Sequence, residues 1–169
     1  MRSFTIIFAI FCLSAHVFAG GKEGPKMSLT FHLESNPDPG KRLTFKANTS
    51  KGLKHFRKIP EVGTSHIASF APFASPHNNA EFGLIIKLNR EGATKLSTFS
   101  SANLDAHLLV FLNGRPVDLL KVDGPVKDGI LCVWKGVTSD DIRLADTLIP
   151  RIGQTEKEWK AKRKALKKK

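Results

Sequence analysis

The hydrophobic pattern at the start of the chain indicates two short strands. Apolar and polar residues alternate over residues 27–33 and again over residues 43–47, which is the period of a half-buried strand. Residues 36–40 contain two prolines and a glycine, which are typical of a loop. This pattern predicts an N-terminal β-hairpin whose second strand is antiparallel to the first.

The next part of the chain has weaker periodicity. Residues 51–58 fit either an irregular strand or a turn of helix, and Pro60 ends that segment. Residues 64–70 are predicted to form a short helix with a hydroxyl side chain as its cap. Two prolines and an Asn-Asn pair over residues 72–79 predict a long loop.

The clearest pattern begins with a nearly continuous apolar run over residues 82–88. Such a run is expected of a central strand that is buried on both faces. Asn89 can then cap a helix that continues to about Ser101, because its side chain can accept a hydrogen bond from the first helical turn. This part of the chain is therefore predicted to be a buried strand followed by a helix.

A second hairpin is predicted further along. Apolar residues at 107–112 and 117–122 flank Asn113 and Gly114. An Asn-Gly pair tolerates the left-handed backbone angles of a type I′ turn. A further turn then leads into an apolar strand over residues 130–135.

A capped helix closes the patterned region. Thr138 can act as its N-cap, and Asp141 completes a capping box. Pro150 and Gly153 end the helix. The elements together predict one α+β domain over residues 27–153, in which a sheet with helices on one face follows the N-terminal hairpin.

The first 19 residues have the pattern of a secretory signal peptide, with one Arg, an apolar run over residues 4–13 and small residues near Ala19. The apolar run is shorter than the ~20 residues that span a bilayer. Cleavage after Ala19 is expected, and retention as an N-terminal anchor is the alternative. We therefore expect an exported protein, periplasmic or extracellular, with a flexible leader at residues 20–26 and no transmembrane anchor after cleavage.

The positive charge is concentrated in two segments. The formal net charge is +12, and residues 41–58 contain seven Lys or Arg and no acid, while residues 156–169 contain eight Lys or Arg and two Glu. The lysine-rich tail, residues 154–169, is either solvated or disordered, or it binds an acidic partner. The candidate partner-binding residues lie in these two segments: Lys51, Lys54, Phe56, Arg57, Lys58, Trp159, Lys160, Lys162, Arg163 and Lys164.

Motifs for catalysis or metal binding are not evident in the sequence. Cys132 would be the one cysteine left after cleavage, so it has no intramolecular disulfide partner and fits a small buried hydrophobe. Ser65 and His66 are neighbours in sequence but lack a nucleophile-elbow pattern. His32 and Glu34 fit the solvent face of a strand better than a metal site. We therefore predict no catalytic residue, cofactor or metal ligand.

The pattern over residues 82–149 also resembles a known family. The resemblance is to the periplasmic P1 head subdomain of the SecD/SecDF protein-export subunits. It covers about half of the chain that would remain after cleavage. The residues that carry it are Gly92, Ala93, Leu96, Thr98, Phe99, Asn103, Val110, Phe111, Asn113, Gly114, Pro116, Pro125, Asp128, Gly129, Trp134, Lys135, Gly136, Asp141, Leu144 and Leu148.

The resemblance implies an antiparallel, ferredoxin-like sheet with helices on one face and a non-enzymatic module that contacts a translocating polypeptide. It assigns no functional residue of the family to a position in this chain. Because the sequence has no transmembrane helices to couple to proton flow, a binding role is what it can carry over.

Three functional hypotheses follow. The first is a non-enzymatic exported accessory protein that contacts an exported polypeptide or envelope protein through an exposed edge strand or through residues 51–58. The second is attachment to an acidic polymer or an anionic membrane surface through the tail. The third, a minor alternative, is a hydrolase whose active-site residues come together only in the folded chain.

Overall fold

The computed structural model describes residues 26–38, 40, 42–78 and 80–166. The predicted signal peptide and most of the predicted leader lie outside the described residues. Within those residues the chain forms nine strands and three helices. The strands are β1 (Leu29–Leu33), β2 (Thr44–Thr49), β3 (Gly52–Arg57), β4 (Val62–Gly63), β5 (Ile67–Ala74), β6 (Phe82–Leu88), β7 (His107–Leu112), β8 (Arg115–Lys121) and β9 (Ile130–Val137). The helices are α1 (Arg90–Ala102), α2 (Ser139–Leu148) and α3 (Glu156–Leu166).

The strands form two sheets and one separate ribbon. The first sheet has the order β4-β1-β7-β8, the second has the order β5-β6-β9, and β2 and β3 form the two-stranded ribbon. Every strand pair in these ladders is antiparallel. The predicted α+β class with antiparallel strands is confirmed. This strand order does not show the predicted ferredoxin-like topology.

The predicted N-terminal hairpin is wrong in its pairing. Strand β1 pairs with β4 on one side and with β7 on the other. Both hydrogen-bonding edges of β1 are therefore occupied, and β2 pairs with β3 instead. The alternating pattern predicted the second strand itself correctly, but it contained no information about which strand would be its partner.

Residues 51–78 are more extended than predicted. The ambiguous segment at 51–58 contains strand β3. The predicted helix at 64–70 is wrong, because only a 3-10 turn, Thr64–His66, precedes strand β5. The predicted loop at 72–79 starts later, since β5 continues to Ala74 with Pro72 inside it. Pro72 is tolerated because β5 is an edge strand, where a missing N–H does not interrupt the ladder.

The elements defined by local chemistry agree with prediction. Asn89 caps α1 by accepting a hydrogen bond from the Gly92 N–H at 2.9 Å. Thr138 and Asp141 form the capping box of α2. The turn between β7 and β8 has positive φ at both central positions, 51° at Asn113 and 79° at Gly114, as a type I′ turn requires.

The core lies between the sheets and the inward faces of α1 and α2. It includes Phe31 and Val110 from the first sheet, Ile86 from the second, Leu96 from α1 and Ala145 from α2. Strand β6 was predicted to be buried on both faces, and this is wrong. Leu84, Ile86 and Leu88 of β6 are buried, whereas Ile85 and Lys87 face outward and are exposed.

The β2–β3 ribbon covers part of the opposite face of the first sheet. The ring of Phe45 in β2 lies 5.4 Å from that of His32 and 5.9 Å from that of Phe111, both on the outer face of the sheet. Phe56 in β3 lies beside Phe45, with ring centroids 5.9 Å apart. The outer face of the second sheet carries no comparable cover among the described residues.

Candidate functional site

Two edge strands, one from each sheet, face each other across a cleft. Strand β8 ends the first sheet and β9 ends the second. Gly136 of β9 lies against Val117 of β8, and the Trp134 N–H of β9 donates to Asp118 of β8. Because the residue number falls along β9 as it rises along β8, the two strands run antiparallel. Beyond this contact the strands diverge and enclose a cavity of about 420 Å³.

A buried aspartate closes one end of the cleft. The carboxylate of Asp118 accepts a hydrogen bond from the Leu119 N–H at 2.9 Å and another from the Trp134 N–H at 2.7 Å. One side chain thus satisfies backbone donors of both edge strands where the sheets come closest. Buried N–H groups are costly when unpaired, so Asp118 stabilises the contact between the two strands. The open cleft begins beyond this contact.

The backbone of β9 presents hydrogen-bonding groups to this cleft. The Leu88 N–H donates to the Gly129 carbonyl at 2.9 Å, so Gly129 faces β6. Because the direction of these groups alternates along an antiparallel strand, Leu131 and Val133 also face β6, whereas Cys132 points its N–H and C=O towards β8. Burial, aided by the nearby charge of Asp118, raises the pKa of the Cys132 thiol.

The floor of the cleft is apolar and its rim is charged. Leu96 and Phe99 of α1 form part of the floor and are 1% and 6% exposed. At the rim, the Lys121 ammonium lies 2.8 Å from an Asp105 carboxylate oxygen and 3.2 Å from one of Asp123. A site of this kind can bury apolar groups and pair with a backbone, but it offers no charged group in the floor to bind an ion.

The outer face of the second sheet extends this apolar surface. Trp134, Ile130 and Ile85 are 46%, 39% and 36% exposed. The Phe73 ring packs edge-on against Trp134 with centroids 5.8 Å apart. It can do so because Gly83 lies beneath it, where a Cβ would be 2.2 Å from the ring.

The first predicted basic segment lies on the ribbon, away from the cleft. Lys51 is exposed at the ribbon turn, and Lys58 is exposed beyond β3. Lys54 pairs with Glu34, and Arg57 pairs with Glu61 at 2.7 Å. Burial opposes ionisation of Glu34, but hydrogen bonds from Lys54 and His107 lower its pKa.

Phe56 is not available to a partner. Its side chain is fully buried, at 0% exposure. The ring therefore packs against the body of the protein, beside Phe45. The expectation that this ring contacts a partner is corrected by the packing of the ribbon on the first sheet.

The described part of the second predicted basic segment, residues 156–166, forms helix α3, which docks on α2. The Trp159 indole N–H donates to the Asp146 carbonyl at 3.2 Å, and the Lys162 ammonium lies 2.9 Å from the Asp146 carboxylate. Arg163 stacks its guanidinium over the Trp159 ring at 5.4 Å. Trp159 and Lys162 therefore hold the helix to its own domain, whereas Arg163 packs on Trp159 within the helix.

Asp146 is the centre of this docking contact. The Arg151 guanidinium donates two hydrogen bonds to its carboxylate, at 2.7 and 2.8 Å, in addition to the contact with Lys162. Burial opposes ionisation of Asp146, but these hydrogen bonds outweigh it and hold the pKa of the carboxyl below its usual value. The carboxylate stays charged and anchors both cations.

Lys160 and Lys164 lie on the opposite, exposed face of α3. Lys157 shares this face because it lies three residues before Lys160 and seven before Lys164. Lys160 pairs with Glu156 at 2.7 Å. The predicted tail residues thus divide into a docked stripe and an exposed lysine stripe, and Lys157 was missed because the sequence did not show which face docks.

The polar residues considered for chemistry have structural partners. His66 lies 3.3 Å from a Glu91 carboxylate oxygen and 3.1 Å from the Lys95 ammonium. His32 contacts the Arg57 carbonyl at 2.8 Å. Among the described residues, no three His, Cys, Asp or Glu side chains come together in a way that could hold a metal ion.

Sequence reasoning did not identify the cleft. Its most visible sequence signal is Asp118, an acid within an otherwise apolar strand. Its floor includes Leu96 and Phe99 of α1, and its walls come from two strands whose edge positions the sequence does not show.

The fold has a counterpart among solved structures. A structure of SecDF, described as a membrane component that enhances protein export, matches with a TM-score of 0.50 and 14% sequence identity, covering 72% of this chain and 62% of that one. The chain shares its fold with SecDF. A second structure, SecDF in a super-membrane-facing form, matches 66% of this chain and 17% of that one, with a TM-score of 0.46 and 14% identity.

The SecDF likeness concerns the fold alone. The chain spans somewhat less than two thirds of the length of the first SecDF chain that it matches. No family model matches the sequence, and no curated protein matches it. Within the described part of the chain, no helix combines the length and the apolar character needed to cross a membrane.

Proposed function

We propose that this chain is a non-enzymatic, exported accessory protein, periplasmic or extracellular, that binds extended polypeptide at the cleft between β8 and β9. The observation that carries the proposal is the pair of sheet edges that face each other across a cavity with apolar side chains in its floor. Edge strands recognise extended chains through backbone hydrogen bonds, with specificity from pockets for alternate side chains. The fold shared with SecDF, a component that enhances protein export, supports a partner of this class.

The cleft is suited to polypeptide rather than to a compact polar ligand. Its volume, about 420 Å³, falls in the range of small binding pockets, and its floor of Leu96 and Phe99 is buried and apolar. The Cys132 backbone supplies both a donor and an acceptor at its wall. Another peptide backbone offers the matching acceptor and donor at strand spacing.

A matched pair of substitutions at one position tests the proposal. Cys132→Pro removes the N–H that points into the cleft, whereas Cys132→Ala removes the thiol and keeps the N–H. The proline removes no hydrogen bond of the β6–β9 ladder, and β9 is an edge strand, where proline is tolerated. We expect Cys132→Pro to weaken binding of a reduced, carboxyamidomethylated unfolded protein about tenfold, since one backbone hydrogen bond and its neighbours are lost.

Fluorescence anisotropy of the labelled unfolded protein provides the measurement, and thermal melts check that both variants fold. Equal affinity for folded Cys132→Pro and for wild type would contradict the proposal. A second readout needs no substitution. Bound polypeptide should slow the alkylation of Cys132, and mass spectrometry of the peptide that contains Cys132 measures this rate. Unchanged alkylation at saturating polypeptide would also count against the cleft.

The second candidate function is adsorption to an anionic polymer or membrane surface. The observation that favours it is the exposed stripe of Lys157, Lys160 and Lys164 on a helix that is held in place from its other face. Vesicles containing phosphatidylglycerol, tested over a salt series, provide the assay. Changing these three lysines to Gln should abolish salt-sensitive binding to these vesicles. Equal vesicle binding by the variant and the wild type would exclude this function.

A charge-matched control distinguishes this surface from overall basicity. Lys87, Lys127 and Lys135 are also exposed, and changing all three to Gln lowers the net charge by the same amount. Retention should fall only for the α3 variant. An equal fall in both variants would indicate non-specific attraction rather than binding through α3.

A further inference from the structure

We infer that the polypeptide bound in the cleft is a short extended segment, apolar on the side that faces α1, which adds to β9 as another strand of the second sheet. This inference rests on the proposed function and specifies its substrate class. It follows from the backbone groups of β9 that are already satisfied, from the chemistry of the floor and from the exposed side chains beside it.

The backbone of β9 limits the length of the pairing. The Ile130 N–H donates to the Asp128 carboxylate at 3.0 Å, and the Trp134 N–H donates to Asp118 at 2.7 Å. The outward-facing N–H groups of Ile130 and Trp134, on either side of Cys132, are therefore already paired with carboxylates of the protein. The Cys132 N–H is the central donor for an added strand, which is aligned over about three residues.

The two faces of the added strand meet different surroundings. Side chains alternate across a strand, so one set would point towards α1 and the next set towards the outer face. The inner set meets the apolar lining of the cleft, in which Leu120 and Val126 are half-buried above the almost fully buried Leu96 and Phe99. A polar or charged inner side chain would lose water without gaining a partner, so the floor selects an apolar one.

The outer set is selected less strictly. It would lie beside Ile130 and Trp134, which are 39% and 46% exposed. Aromatic and β-branched residues pair well with such neighbours across strands, yet a polar residue there keeps contact with water. The site therefore distinguishes the inner position of the segment more strongly than the outer one.

The chemistry of the edge argues for an unfolded polypeptide over other occupants. A lipid chain could fill the floor, but it provides nothing to pair with the backbone of β9. A helix satisfies its own backbone groups and would leave those of β9 unpaired. An unfolded segment provides both apolar side chains and free backbone groups.

Three labelled peptides of equal length test the substrate class with the full-length protein. The first has alternating Val and Phe between Lys-Ser ends. The second replaces the central Phe with Asp, and the third replaces the central Val with Pro. We expect the first peptide to bind at least tenfold more tightly than either of the others, measured by fluorescence anisotropy.

A variant pair locates the binding on the protein. Ile130→Lys places a charge beside the added strand, whereas Ile59→Lys makes the same change at a distant residue that is 75% exposed. Both positions are exposed, so both variants should fold, as circular dichroism can confirm. We expect the affinity for the first peptide to fall about tenfold in Ile130→Lys and to stay unchanged in Ile59→Lys.

The outcomes separate this inference from the proposed function. Equal binding of all three peptides, still weakened by Cys132→Pro, would overturn the substrate class and leave polypeptide binding intact. Failure of the three peptides and of an unfolded protein to bind would overturn both. A dimer that disappears in Ile130→Lys, without peptide binding, would assign the surface to a second copy of the chain and also overturn the inference.

Discussion

The docking of helix α3 should weaken when the charge of Asp146 is removed. The substitution Asp146→Asn keeps the size of the side chain and removes its charge. Asp146 contacts Arg151 through two hydrogen bonds and Lys162 through a third. The amide presents one oxygen where the carboxylate has two, and its NH₂ group would face a cationic donor.

The geometry of the contact sets the size of the effect. Charge-assisted hydrogen bonds to a buried carboxylate contribute about 1.5–3 kcal/mol each, and the side chain of Asp146 is 10% exposed. Arg151 and Lys162, however, are 41% and 35% exposed, so water screens both and can replace part of what is lost. Of these cations only Lys162 belongs to α3, so we expect a net loss of about 1 kcal/mol in the docking of the helix, which corresponds to roughly a fivefold change in its undocking equilibrium.

Native-state hydrogen exchange measured by mass spectrometry can detect this change. Peptides that cover 156–166 should exchange roughly fivefold faster in Asp146→Asn, because local opening controls their protection. Peptides from β1 and β7 should keep wild-type rates. Asp140→Asn is the matched control, since Asp140 lies on the same helix, is 82% exposed and pairs with Arg143. Wild-type exchange of α3 in Asp146→Asn would refute the role of this contact.

The same contact predicts a pH dependence. Because the pKa of Asp146 is lowered in the folded state, its contribution is fully present above the unfolded-state value of about 3.9. It is lost as the pH falls through the lower, folded-state pKa. The helix should stay docked between pH 5 and 7 and become more open to exchange below about pH 4, after correction for the intrinsic rate.

Three further predictions concern the two sheets. Gly83→Ala should destabilise the fold by about 1–3 kcal/mol, because its Cβ would lie 2.2 Å from a ring atom and 2.6 Å from a carbonyl oxygen, whereas Gly124→Ala meets open space and should leave urea unfolding nearly unchanged. Asp118→Asn should cost about 1–3 kcal/mol, since an NH₂ group would face a backbone donor; Asp123→Asn, at an exposed position, should cost little in the same assay. Alkylation of Cys132 should be slower at pH 8 than that of a free thiol, because burial raises its pKa, and a rate equal to that of glutathione would contradict this.

Local chemistry made several elements predictable. The caps at Asn89 and Thr138 depend on side chains within three residues of the N–H groups that they bind. The turn at Asn113 depends on the backbone freedom of two residues. These contacts span a few positions, so the residue types alone indicate them.

Strand pairing was less predictable because it joins distant segments. Leu33 pairs with Leu108, across 75 positions, and this pairing occupies the edge that the predicted hairpin assigned to β2. Alternation identified β2 as a strand but left its partner open. The helix expected at residues 64–70 is wrong for a related reason: pairing with β6 outweighs local preference and draws that segment into β5.

The functional surfaces depend on tertiary structure to a still greater extent. The sequence showed that the tail is basic, but not that residues 156–166 form a helix. It could not show that Trp159 and Lys162 contact Asp146 while Lys160 and Lys164 face water. That division depends on where α2 ends and on a carboxylate more than ten residues away.

By itself, the sequence determined the α+β class, the capped helices, the β7–β8 turn and the two basic segments, because each follows from periodicity, charge or the geometry of neighbouring residues. Only the tertiary structure decided which strands stand at the edges, that Phe56 is buried, and that β8 and β9 enclose a cleft above α1. The physical reason is that edges and cavities are formed by residues that the chain brings together from a distance. The residue types indicate the chemistry of these edges and cavities, but tertiary packing decides which residues come together to form them.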